Sequence, residues 1–158
     1  MIGDIILQKR SGTLGWIVSF FTRSEYVHCG IELNNDTVVH VYPFKGKTFE
    51  PIENWDDGNL IRLTPVIPLS EKQITCLQWV IAATVVKGYD YFSAIRSWLW
   101  KSKDDLKYTG KYYHCSEFTS SAFREGCGID LVPNRSDDAT QPHDFLTSPH
   151  LQQVLEEK

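Results

Sequence analysis

Several things are missing from this chain of 158 residues, and each absence removes a class of function. There is no basic excess: 16 Lys and Arg stand against 20 Asp and Glu, a formal charge of −4. A nucleic-acid footprint would be basic, so nucleic acid is not an expected partner. There is no long apolar run. Leu14-Gly15-Trp16-Ile17-Val18-Ser19-Phe20-Phe21 is far shorter than the roughly 20 residues a spanning helix needs. No positive stretch leads an apolar run at Met1-Ile2-Gly3-Asp4, so no signal peptide is expected and a cytoplasmic location is. The four cysteines, 29, 76, 115 and 127, form no CxxC pair and read as reduced thiols. Repeats and low-complexity tracts are absent. Hydrophobic residues at 42%, with 5 Trp, 7 Tyr and 8 Phe, instead give enough apolar side chains for one folded domain over residues 1–158.

What is present is a constellation. Val27-His28-Cys29-Gly30-Ile31-Glu32-Leu33 has strand composition, Asn34-Asn35-Asp36 signals a turn, and Thr37-Val38-Val39-His40-Val41-Tyr42 reads as the returning strand. A turn centred on Asn34 places Ile31 opposite Thr37, Cys29 opposite Val39 and His28 opposite His40. Parity then sorts the side chains. Cys29, Ile31, Leu33, Val39 and Val41 share a core face. His28, Gly30, Glu32, Val38, His40 and Tyr42 share the other. The two imidazoles are thus expected to be neighbours, with Cys29 turned away and chemically silent. Gly30 is expected to leave room beside His28 for another chain or a substrate.

Far downstream, Tyr113-His114-Cys115-Ser116-Glu117-Phe118 opens a helix whose buried stripe is Cys115, Phe118, Ala122 and Phe123, ending near Gly126 or Gly128. Cys115 falls in its first turn. The positive helix end and a nearby imidazole both favour a thiolate there. A thiol, an imidazole base and a third polar group form the kit for attacking an acyl carbon. Cys115, His28 and His40 are the candidates for these three parts. The backbone N–H of Cys115 is the first oxyanion donor, and Tyr26 the candidate second.

The segments Gly3-Asp4-Ile5-Ile6, Tyr26-Val27-His28-Cys29-Gly30-Ile31 and Val39-His40 resemble the first half of the permuted NlpC-type papain-like enzymes. The Cys115 segment resembles their nucleophile helix. A Gly-Asp strand that precedes the cysteine, instead of following it, is similar to the YiiX-like amidases and to the lecithin retinol acyltransferase group. The resemblance covers residues 3–41, 113–128 and a tail with Pro142, Asp144, Phe145, Ser148 and Pro149. It implies an α+β, circularly permuted papain-like fold, with a small antiparallel sheet packed on helices. It also implies a thiol hydrolase that cleaves an amide or peptide bond, with Cys115 as nucleophile, His28 as base and His40 as orienter, and with Glu32 in reserve for the third role. The acyltransferase group has an asparagine before its cysteine and a histidine soon after. This chain has His114 before and Ser116-Glu117 after, which disfavours lipid acyl transfer.

Other readings stay open. Zinc accepts His28, His40, Cys115 and Glu32 as ligand types, but no close pair such as HExxH is present. No cofactor or metal is expected. A membrane-surface role through Trp16, Phe20, Phe21, Trp98 and Trp100, and a non-catalytic binding module, complete the alternatives. The expected partner is a peptide or amide-containing substrate, and peripheral membrane contact is left open. Along the rest of the chain, strands are expected at 4–8, 47–50 and 60–64, with Asn54-Trp55-Asp56-Asp57-Gly58 as loop. Helices are expected at 14–23, from Ser70 to about Lys87, and at 90–99.

Overall fold

The fold is read from a computed structural model describing residues 1–9, 24–34, 37–42, 45–55, 60–89 and 112–154. The expected helices at 14–23 and 90–99, and with them the aromatic membrane platform, lie outside the described residues.

The architecture is α+β. Strands β1 (Ile5–Lys9), β2 (Tyr26–Asn34), β3 (Thr37–Tyr42), β4 (Gly46–Pro51), β5 (Leu60–Pro65) and β8 (Leu151–Gln153) form one antiparallel sheet. Its order is β4-β3-β2-β1-β5-β8. β1 lies inside the sheet, and its Ile5, Ile6 and Leu7 are all buried. Ile5 and Leu7 enter the main core beneath the helices, whereas Ile6 packs on the other face with Val38 and Trp55. A strand covered on both sides has no place for alternation, which is why this one reads as a continuous apolar run.

Helix α1 (Glu71–Ala83) starts from a reciprocal cap: the Gln73 N–H donates to Ser70 Oγ, and the Ser70 N–H donates to Gln73 Oε1. It stops earlier than its apolar stripe. Thr84 donates its hydroxyl to Val80 O, and the Lys47 ammonium donates to Ile81 O and Thr84 O, each at 2.6 Å. These bonds satisfy carbonyls that the next turn would have used. Leu77 and Ile81 are buried as the stripe requires, but Val85 lies past the helix end and is exposed.

Helix α2 (Cys115–Cys127) packs on α1 and on the β2–β3 side of the sheet. Gly126 makes the helix pair possible. A Cβ there would stand 2.6 Å from Leu77 Cα, so only glycine lets the two backbones meet. Gly128 terminates α2 in the left-handed region, at φ 68°. Just ahead of α2, β7 (Tyr112–Tyr113) pairs in parallel with β6 (Gly88–Tyr89) and fixes where the helix begins. Beyond it, Asp137 accepts from Ser121 and Arg124, which ties the tail to α2. Phe145 sinks into the main core.

Candidate active site

The hairpin register differs from expectation by two residues. Ile31 is opposite Val39, Glu32 opposite Val38, and Asn34 opposite Thr37, with only Asn35 and Asp36 between the strands in sequence. A slip of one residue would exchange the faces; a slip of two keeps them. His28 and His40 therefore share a face but are not directly opposed. Long rings still meet on the diagonal. His28 Nε2 and His40 Nδ1 are 2.7 Å apart, and both rings are buried.

Gly30 does not leave an open space. Trp55, in the segment read as loop, folds over it, and a Cβ on Gly30 would lie 3.0 Å from the indole Cη2 and 2.6 Å from Val38 Cγ1. The same indole covers both imidazoles, with centroid distances of 5.2 Å to His28 and 4.7 Å to His40. Protein, not a visiting chain, occupies that room.

Glu32 is on the predicted face but is engaged elsewhere. Its carboxylate accepts from Arg62 and from the Met1 ammonium, and Asp4 shares both cations. It is not the group that orients His28. The other nitrogen of His40 instead points toward Glu50, with Nε2 to Oε2 at 3.5 Å. Glu50 was not singled out in the sequence.

Tyr26 also departs from the simple alternation. Gln8 pairs with His28 and Lys9 with Tyr26, so Val27 is an extra residue in β2. The bulge turns the Tyr26 ring into the main core, with the Lys9 ammonium 5.7 Å from its centroid. Burial raises the phenol's pKa. Nothing in this placement makes Tyr26 an oxyanion donor.

Cys115 begins α2 and is buried. Its neighbour on the sheet is Cys29. Parity does turn Cys29 into the core, but the core on that side contains Cys115, so Cys29 is not remote from that thiol. The Cys29 sulfur is 3.7 Å from Thr119 Oγ1, whose hydroxyl donates to the Cys115 carbonyl at 3.0 Å. The Cys115 thiol is held well below the ordinary thiol range, first by a hydrogen bond from Cys29. The charge of His28 and hydrogen bonds with His114 and His28 add to this, against the cost of burial. Cys29 moves the other way: burial and the neighbouring Cys115 push it well up. Of the two thiols, Cys115 is the one whose surroundings favour the thiolate. His28 and Cys29, consecutive in β2 just after the bulge at Val27, both act on the acidity of this thiol.

His114, a second imidazole beside Cys115, is already committed. Its Nδ1 accepts from the Glu117 N–H at 3.4 Å, its backbone N–H donates to Glu117 Oε2, and its Nε2 lies 3.1 Å from the Asp138 carbonyl. Burial opposes its protonation, but the hydrogen bond with Cys115 and the charge of Glu117 outweigh this and raise its pKa. As the N-cap of α2 it has little freedom to shuttle protons. His28 has no such duty. His40 is pushed down to about 3 by burial, by His28 and by Lys45, against a smaller upward pull from Cys115, so it is neutral at physiological pH.

Known proteins confirm the architecture. The fold is that of a solved YiiX structure. Metalloprotein YiiX (DUF1105) of Escherichia coli O157:H7 matches with a TM-score of 0.72 at 17% identity, covering 99% of this chain and 97% of that one. No model of a known family and no curated protein matches the sequence. At this identity the likeness to YiiX is one of fold. Among the described residues, no helix is long and apolar enough to cross a membrane.

Proposed function

We propose that this chain is a cysteine hydrolase of the permuted papain-like, NlpC-type architecture, cleaving an amide or peptide bond through a thioester. One observation carries the reading. His28 sits between the acidified thiol of Cys115 and His40 Nδ1, which is 2.7 Å from its Nε2. With His40 neutral, its Nδ1 accepts the Nε2–H of His28. The Nδ1 lone pair of His28 is then free for the thiol proton. The resulting thiolate attacks the carbonyl carbon. Negative charge builds on the carbonyl oxygen, where the N–H of Cys115, the first residue of α2, has no intrahelical acceptor and can donate. His28 passes its proton to the leaving amine and the C–N bond breaks. Water, deprotonated by His28, then cleaves the thioester, releasing the acid and restoring the thiol.

YiiX is called a metalloprotein, which raises a metal reading for this chain too. The donors here do not suit an ion. His28 Nε2 and His40 Nδ1 face each other and cannot both aim lone pairs at a third atom. Among the described residues, no three His, Cys, Asp or Glu side chains converge to hold one. Lipid acyl transfer is disfavoured by the residues around Cys115: His114 and Glu117 are spent on the helix cap.

The test is an electrophilic acyl-peptide vinyl sulfone probe, with the adduct located by peptide mass spectrometry, followed by turnover of peptide and N-acyl amides. Cell-wall peptides belong in the same panel. Labelling at Cys115, loss of turnover in Cys115→Ala and near-loss in His28→Ala are expected. His40→Gln should keep measurable activity, because an orienter matters less than the base. Turnover that survives Cys115→Ala would end the reading.

A further inference from the structure

His28 accounts for only one of the two ring nitrogens of His40. The other, Nε2, is buried and makes no hydrogen bond. A buried polar nitrogen left unpaired is costly. Among the described residues, its surroundings offer one carboxylate. Glu50 lies on β4 opposite Val38, two residues from Thr48, which is opposite His40, so strand pairing itself puts Glu50 beside the imidazole. Glu50 Oε2 is 3.5 Å from Nε2. The terminal torsion of a glutamate is soft, and a small rotation closes that gap to a hydrogen bond. Thr48 is no rival donor, since its hydroxyl is given to Gly46 O at 3.2 Å.

We propose that Glu50 is a positioning residue: its carboxylate accepts the Nε2–H of His40 and so fixes the tautomer that makes His28 a base toward Cys115. This rests on the hydrolase reading above. The logic is that a neutral His40 carries one proton, on either nitrogen. With the proton on Nδ1, His40 donates to His28 Nε2. A neutral His28 must then carry its own proton on Nδ1, the nitrogen left over for the thiol, and cannot accept there. With the proton on Nε2, the direction of every bond reverses, and His28 Nδ1 presents a lone pair. The groups around His40 are His28, Cys115, Lys45 and Glu50. Among the described residues, only Glu50 offers an acceptor close to Nε2. The relay is therefore four members long: Cys115, His28, His40, Glu50.

The experiment is nitrogen-15 NMR of the imidazoles in the full chain, wild type and Glu50→Ala, combined with the rate of Cys115 alkylation by iodoacetamide. Neither measurement needs a substrate. In the wild type, His40 should carry its proton on Nε2. In Glu50→Ala the Nδ1–H form should grow, and alkylation near neutral pH should slow by roughly ten- to a hundredfold. Glu50→Gln keeps an oxygen acceptor and should recover most of the rate. Since Glu50 is partly exposed on an edge strand, truncating it leaves the core intact. Proton on Nδ1 in the wild type, or a tautomer that ignores Glu50→Ala, overturns the proposal. If the tautomer follows Glu50 while the wild type turns over no amide, Glu50's role stands and the hydrolase reading falls. If the wild type turns over and the tautomer does not respond, only Glu50's role falls.

Discussion

The indole of Trp55 meets the imidazole of His40 edge to face, at 84° and with centroids 4.7 Å apart. Trp55 is 3% exposed, and it also tilts over His28. It is therefore the lid that keeps water from the His28–His40 bond. A hydrogen bond sheltered in this way is stronger than one exchanged with solvent.

Trp55→Ala should act on stability and on chemistry at once. Removing a buried indole costs about 3–5 kcal/mol, read as a lower urea midpoint. Water then reaches His40, so its pKa rises from about 3 toward the ordinary value, and the fall of activity on the acid side begins at higher pH. Trp55→Phe keeps most of the cover and should shift the acid limb less. An unchanged limb in Trp55→Ala would show that the indole does not shield His40.

Cys29 is expected to tune Cys115. In Cys29→Ala the thiolate loses the donor that contributes most to its stabilisation. The pH midpoint for Cys115 alkylation should therefore rise. Cys29→Ser, which keeps a donor, should sit close to the wild type. In the wild type, limiting iodoacetamide near pH 6 should mark Cys115 first. Cys29 is pushed up by burial, and Cys127 to about 11 by burial and by Cys76. A Cys29→Ala midpoint that does not move would remove Cys29 from the site.

Acid should destabilise the fold through His40. Its folded pKa is about 3 against an unfolded value of about 6.5. Between those values the unfolded chain binds the extra proton, so stability is fully present above about pH 6.5 and declines as pH falls toward 3. Thermal midpoints measured across this range should drop less steeply in His40→Gln than in the wild type. Parallel curves would mean that His40 is not buried as a neutral ring.

Gly126→Ala tests the helix pair. The new methyl group would press on Leu77 Cα and N, which are backbone atoms and cannot rotate away. Overpacking of this kind costs about 1–3 kcal/mol. A matching fall in the denaturant midpoint is expected, and a neutral outcome would mean that α1 and α2 separate easily.

The sequence made some of this legible and hid the rest for physical reasons. Parity along β2 and β3 is a local property, so the shared face of His28 and His40 could be read directly. Register could not, because it depends on where the connection closes, and here that lies between Asn34 and Thr37. The α1 stripe overran its helix because Val86 still packs on the core after the helix has ended, and apolar periodicity does not see Lys47 capping from a distant strand. The companionship of Cys29 and Cys115 is tertiary and leaves no local mark. Trp55, among polar residues and turn formers, looked like a solvent loop; a tryptophan in such a place was the available signal. Glu50 had no signal beyond one charge in a strand.

Thr119, whose hydroxyl meets the Cys29 sulfur, lies 90 residues further along the chain. The hairpin and α2 thus meet only through a contact of long sequence separation, and such contacts are slow to form. Before they meet, Cys115 lacks the neighbours that acidify it. In a growing or unfolded chain the Cys115 thiol therefore lacks this environment and gains it only when the hairpin and α2 dock. Its rate of alkylation is in this sense a clock for the completion of folding.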